Sequence, residues 1–142
     1  MMEFPFVQNI YAEEETINLA KSFSSILQKG DCVSILGNLG TGKTFFVKAL
    51  CKEFLIDDAN SPTFALLNVY VGKEKFFHFD FYRVLSEQEL LDIGLYDYLN
   101  DEEAVSIIEW ADLFPAVLPK KRYEITIILN ADFSRTFTID KL

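Results

Sequence analysis

Apolar residues recur along this chain with two periods, and the change from one to the other outlines its elements. In residues 13–28, Ile17, Ala20, Phe23 and Leu27, with Ile26 beside them, fall on one side of a helical repeat. The start of that stretch is acidic and Gly30 follows its end, as suits a helix dipole and a helix stop. Residues 31–36 are a short apolar run of the kind that forms a buried strand. Residues 44–54 return to helical spacing, with Phe46, Val47, Leu50 and Phe54 on one face. Residues 64–71 and 75–82 read as two strands joined across Gly72, a hairpin signal. Ser86 stands as N-cap of a short helix, with Glu89 at the capping-box position. Residues 104–110 form another apolar strand, Pro115 and Pro119 mark a loop, and residues 123–129 and 136–139 suggest a last hairpin. The sum predicts one α/β domain over residues 1–142, three-layered (α/β/α), with a mixed sheet and antiparallel hairpins.

Between the run at 31–36 and the helix at 44–54 stands Gly37-Asn38-Leu39-Gly40-Thr41-Gly42-Lys43-Thr44. This fits the G-x-x-x-x-G-K-[ST] phosphate-binding loop, in the strand–loop–helix order that such a loop requires. Glycines let backbone N–H groups crowd around phosphate oxygens. Lys43 can place a charge on the β- and γ-phosphates, Thr44 can offer its hydroxyl to Mg²⁺, and the helix start aims its dipole at the same anion. The domain is therefore expected to be P-loop NTPase-like.

A nucleotide site of this kind needs a further carboxylate near the metal. Glu109 ends an apolar strand, at the edge where open α/β sheets bind ligands. It could hold Mg²⁺ directly or through water, orient an attacking water, or simply be an exposed acid closing a strand. Phe77, Phe79 and Phe81 alternate with His78, Asp80 and Tyr82, with Arg83 just beyond. The second set is rich in acid/base and charge-stabilising groups, although a half-exposed strand has the same pattern. Ser61-Pro62-Thr63 occupies either the place of a γ-phosphate-sensing switch or a turn into a strand. No Asn-Lys-x-Asp motif for guanine is present, which favours ATP.

Composition narrows the partners. The chain carries 13 basic and 22 acidic residues, a net charge of −9. Gripping a nucleic acid backbone calls for a basic patch. The one basic triplet, Lys120-Lys121-Arg122, precedes a strand, so tRNA contact is expected only through partners. No stretch approaches the ~20 apolar residues that span a bilayer. No secretory signal is visible, and Cys32 and Cys51 lack metal-ligand spacing, so the expectation is a cytoplasmic protein with buried, reduced thiols.

Taken in order, Gly37 to Thr44, Ser61-Pro62-Thr63-Phe64, His78-Phe79-Asp80-Phe81-Tyr82-Arg83 and Ile108-Glu109-Trp110 resemble the bacterial TsaE (YjeE) ATPases, nearly end to end from Thr16 to Arg135. The resemblance implies a role in tRNA threonylcarbamoyladenosine (t6A) modification, with ATP and Mg²⁺ as cofactors and TsaD-like and TsaB-like proteins as partners. It implies that Gly37, Asn38, Leu39, Gly40, Thr41, Gly42, Lys43 and Thr44 hold the phosphates, and that Thr44 and Glu109 are the metal ligands. It makes Asp80 the functionally important acid beside Glu109 and Lys43, and sets Trp110 next to the nucleotide, Thr16 near the base and Arg135 near the nucleotide. Without the resemblance, the residues reach only a Mg²⁺-dependent nucleotide hydrolase or kinase. A small-molecule P-loop kinase and a nucleotide-binding regulatory module without turnover are the alternatives. Kinases usually close an Arg-rich lid, whereas this chain has only Arg83, Arg122 and Arg135.

Overall fold

The computed structural model describes residues 2–62 and 65–142. Its strands are β1 (Phe6–Ile10), β2 (Cys32–Leu36), β3 (Leu67–Val71), β4 (Lys75–Asp80), β5 (Ala104–Glu109), β6 (Tyr123–Leu129) and β7 (Arg135–Lys141). They form one sheet in the order β1-β7-β6-β2-β5-β4-β3. The four middle strands, β6, β2, β5 and β4, are mutually parallel. Antiparallel strands extend the sheet at both sides, β3 beside β4 and β7 then β1 beyond β6. The helices are α1 (Glu13–Ser24), α2 (Lys43–Lys52), α3 (Glu87–Asp92) and α4 (Leu95–Leu99). The result is a three-layer α/β/α arrangement with a mixed sheet and antiparallel hairpins.

Strand alternation sorts the core into two clusters. On one face, Phe23 of α1 and Phe46, Val47 and Leu50 of α2 pack on Val33, Ile35, Val105, Ile107, Ile125 and Phe137. Phe23 meets Tyr123 edge-on at 5.2 Å between ring centres, and Phe46 meets Phe137 at 5.6 Å. On the other face, Phe77, Phe79 and Ile108 pack on Leu90, Leu95 and Leu99 of α3 and α4. That second layer lies over β2, β4 and β5. The strands β2 and β5 are therefore buried on both faces and read as nearly continuous apolar runs.

The helix at residues 13–28 is shorter than its apolar pattern predicts. It ends at Ser24, where the Ser24 and Ser25 hydroxyls donate to Lys21 O and Ser22 O, both at 2.6 Å. Such back-bonding competes with the helical ladder. Gly30, at φ +87°, follows a turn later. The inward face is also rotated: Thr16, Leu19, Ala20 and Phe23 are buried, whereas Ile17 is 46% exposed. One position is ~100° of helical turn, which is enough to carry Ile17 off the core. Ser86 precedes α3 without a side-chain cap, and the Leu85 N–H donates instead to Glu89 Oε1 at 3.3 Å. The edge strand β1 has no counterpart among the predicted elements, because Gln8 and Asn9 break its apolar run.

Candidate functional site

The loop at 37–42 joins β2 to α2 at the C-terminal edge of the parallel strands. Its glycines are dictated by geometry at two points. Gly42 sits at φ +100°, a left-handed backbone that opens α2. A Cβ on Gly37 would come within 2.7 Å of Thr41 Oγ1 and 2.9 Å of Ile127 O. Lys43 is the first residue of α2. Its ammonium curls back over the loop, donating to Gly37 O at 2.5 Å and Asn38 O at 2.8 Å. It also lies 4.2 Å over the centre of the Trp110 ring. Burial pushes the Lys43 amine below the ordinary lysine range, while the carboxylates of Glu109, Asp80 and Asp112 pull it the other way. The Asn38 carbonyl also accepts from the Thr41 hydroxyl at 2.9 Å, whereas Leu39 points to solvent.

Thr44 begins a second group of oxygens. Its hydroxyl lies 2.6 Å from Ser61 Oγ and donates to Glu109 Oε1 at 3.1 Å. Glu109 ends β5 and is 2% exposed. A carboxylate that deep requires partners. Its second oxygen takes a 2.6 Å hydrogen bond with His78 Nε2, from a ring that is wholly buried. The half-exposed strand that the alternation of His78, Asp80 and Tyr82 also allowed is thus not what forms. The face of β4 that carries His78 lies under the helical layer of α1 and α2, the face of its neighbours Phe76 and Ile107.

Asp80 stands directly across from Glu109 in the parallel register of β4 and β5. It is half-buried, and its Oδ1 accepts the Tyr82 N–H at 2.9 Å. Desolvation raises the pKa of its carboxyl above the ordinary range and the charge of Glu109 adds to this. The Tyr82 N–H, His78 and Lys43 act against it. The Tyr82 ring packs on Trp110 with centres 4.8 Å apart. Together Leu39, Gly40, Gly42, Lys43, Thr44, Phe45, Ser61, Asp80, Tyr82, Glu109 and Trp110 line an open cleft of about 300 Å³. A smaller cavity of about 110 Å³ on the other side of the loop is lined by Thr16, Thr41, Gly42, Phe45, Arg135 and Phe137, among others. There Arg135 reaches from β7, donating through Nε to Thr41 O at 2.7 Å and through a terminal nitrogen to Gly40 O at 3.4 Å.

The residues singled out in the sequence therefore gather around one loop. Lys43, Thr44, Asp80, Glu109 and Trp110 meet on one side, with Thr16 and Arg135 on the other. Thr63 and Phe64 of the Ser61–Phe64 motif lie outside the described residues. The pattern did not reveal Tyr70 and Asn60, which stand behind His78. Tyr70 OH is 2.9 Å from His78 Nδ1 and 2.6 Å from Asn60 O. Tyr70 shares its face of β3 with Asn68, the register partner of His78. That alternation was the available signal.

Chemically, a basic side chain and a helix start suit a polyanion. The oxygens of Thr44, Ser61 and Glu109 are hard donors of the kind Mg²⁺ takes. Among the described residues no three His, Cys, Asp or Glu side chains gather into a metal cage. A site with one carboxylate and a hydroxyl fits a cation that takes its remaining ligands from phosphates and water.

A parallel strand, a glycine loop and a helix opening on Lys-Thr, set in this sheet, define a phosphate-loop-like α/β protein. The family model for "Threonylcarbamoyl adenosine biosynthesis protein TsaE" matches residues 10–137, and the chain belongs to the TsaE family. It is 35% identical over 131 residues to the "tRNA threonylcarbamoyladenosine biosynthesis protein TsaE" of Rickettsia bellii, covering 90% of each chain. The protein of the same name from Bacillus subtilis is 36% identical over 127 residues, covering 88% of this chain and 78% of its own. The crystal structure of Bacillus subtilis YdiB superposes with a TM-score of 0.78 at 29% identity, covering 94% of this chain and 83% of that one. Among the described residues no helix is long and apolar enough to cross a membrane.

Proposed function

We propose that this protein is a Mg²⁺-dependent ATPase of the cytoplasm that serves threonylcarbamoyladenosine formation on tRNA through a complex of TsaD-like and TsaB-like proteins. The observation that carries the reading is the convergence of Lys43, Thr44 and Glu109 at the start of α2. Membership of the TsaE family supplies the pathway. In this reading Gly37 to Thr44 hold the phosphates of ATP, and Thr44 and Glu109 hold Mg²⁺, which when bound neutralises phosphate charge. Lys43 leaves the carbonyls of Gly37 and Asn38 for phosphate oxygens, a stronger, charge-assisted pairing. Asp80, whose carboxyl is reluctant to ionise, is the group placed to hold or move a proton at the reacting end. Trp110 and Tyr82, packed ring on ring, form one wall of the cleft. Thr16 and Arg135 frame the far side of the loop, toward the base.

Hydrolysis by the chain alone is expected to be slow. Arg135 is engaged with the loop's own carbonyls. An arginine supplied in trans is worth ~10³–10⁵ in rate in other phosphate-loop proteins. The net charge of −9 leaves the RNA surface to a partner. The test is phosphate release by the chain alone, with tRNA alone, with the purified TsaD–TsaB-like pair, and with small-molecule acceptors. Stimulation by the pair supports the reading. Full activity alone, tight salt-sensitive tRNA binding without the pair, or transfer to an acceptor would overturn it.

A further inference from the structure

Behind Glu109 lies a set of polar contacts, buried at His78, Tyr70 and Glu109 and partly exposed at Thr44, Asn60 and Ser61, that close into a ring. Glu109 Oε1 accepts from Thr44 and Glu109 Oε2 pairs with His78 Nε2. His78 Nδ1 meets the Tyr70 hydroxyl, and that hydroxyl also accepts the Asn60 N–H at 2.9 Å. The next residue, Ser61, returns to Thr44 at 2.6 Å. Six residues from α2, β3, β4, β5 and the segment after α2 are thus tied together. Among the described residues the ring leaves no buried side-chain nitrogen or oxygen without a partner.

Such a ring is costly unless complete, because each misaligned group in a low-dielectric interior forfeits its hydrogen bond and its hydration. Completed, it fixes geometry. His78 occupies one oxygen of Glu109 and so turns the other toward Thr44. Tyr70 fixes the plane of the His78 ring. The same hydroxyl accepts the Asn60 N–H and has its one proton within reach of both the Asn60 carbonyl and His78 Nδ1, which keeps Ser61 beside Thr44. We propose that Tyr70 and His78 are positioning residues. They set the carboxylate of Glu109 and the Asn60–Ser61 segment in one fixed relation to Thr44, so that cation affinity depends on a tyrosine that touches neither cation nor nucleotide. This rests on Thr44 and Glu109 being the metal ligands.

The test is calorimetric titration of ADP into the full chain, in EDTA and over a series of Mg²⁺ concentrations, for the parent and for Tyr70→Phe. The substitution keeps the ring packing and removes one oxygen. The Mg²⁺ concentration for half-effect should rise ~10–100-fold, the usual cost of losing an outer partner of a metal ligand. ADP affinity in EDTA should be unchanged. In a Glu109→Gln background Tyr70→Phe should have a clearly smaller effect on the Mg²⁺ response, leaving only the route through Ser61 and Thr44, a result that a merely structural tyrosine would not give. His78→Gln, which keeps a donor but loses the link to Tyr70, should move the Mg²⁺ response in the same direction. An unchanged Mg²⁺ requirement in either variant, beside a parent that responds to Mg²⁺, overturns the positioning role alone. A parent with no Mg²⁺ response overturns the metal site itself, and this role with it.

Discussion

The ammonium of Lys43 lies 4.2 Å above the centre of the Trp110 ring while donating to two carbonyls of its own loop. A phosphate drawing the ammonium away would change the surroundings of Trp110, the only tryptophan in the chain. Titration with Mg-ADP should therefore shift its emission. Lys43→Ala should abolish most of the shift and weaken binding. A charge-assisted hydrogen bond is worth about 1.5–3 kcal/mol, roughly ten- to a hundredfold in affinity. A parent whose emission is indifferent to saturating nucleotide would contradict this.

Arg135 should act on the same loop from outside. Its donation to Thr41 O and Gly40 O holds the backbone that, in the proposed function, wraps the phosphates. Arg135→Ala is expected to lower nucleotide affinity several-fold while shifting the melting temperature little, since the side chain is partly exposed. Arg135→Lys should rescue poorly, because one ammonium cannot reproduce the spread of the guanidinium fork. Calorimetry on the three proteins decides it.

Asp80 sets a pH dependence. Its folded pKa is raised, chiefly by desolvation. The unfolded chain therefore releases that proton at lower pH, and the native state carries a penalty that grows as pH rises from the ordinary aspartate value through the folded one. Asp80→Asn should raise the melting temperature at neutral pH. The gain should vanish below the ordinary aspartate range, where both states are protonated. Hydrolysis in the complete system should fall in the same variant. Equal melting curves for parent and Asp80→Asn at pH 7 would remove the desolvation argument.

Cys32 and Cys51 are buried, and desolvation pushes both thiols up to about 12. Thiolate is the reactive form. Disulfide-exchange reagents at pH 8 should label neither in the native protein and both after denaturation. Rapid native labelling of either would show that its helix or strand opens.

Much of this was legible in the sequence because it is local. The phosphate loop, the strand before it and the helix after it occupy one continuous stretch, as does the alternation around His78. The acid at Glu109 could be placed because a strand's end is visible in its apolar run. What was not legible depends on tertiary neighbours. Ile17 looked inward until the helix was rotated against its sheet, and Ser86 looked like a cap until Leu85 met Glu89. Tyr70 was one aromatic among many in a strand. Its role exists only because the β3–β4 hairpin sets it diagonally from His78. The strand β1 is polar enough to pass for a loop and is formed by its pairing with β7.

The sheet order has a consequence for how the protein comes into being. β2, which launches the phosphate loop, is flanked by β5 and β6. Its partners are thus encoded some seventy to ninety residues downstream, Cys32 facing Ser106 and Val33 facing Tyr123. The glycine-loop signature is contiguous on the ribosome, yet its frame is not. A nascent chain that has passed the loop still lacks both walls of β2, and long-range pairing of this kind is the slow part of folding. Competence to bind nucleotide should therefore arrive late and at once, with synthesis of the last third, rather than with the motif that announces it.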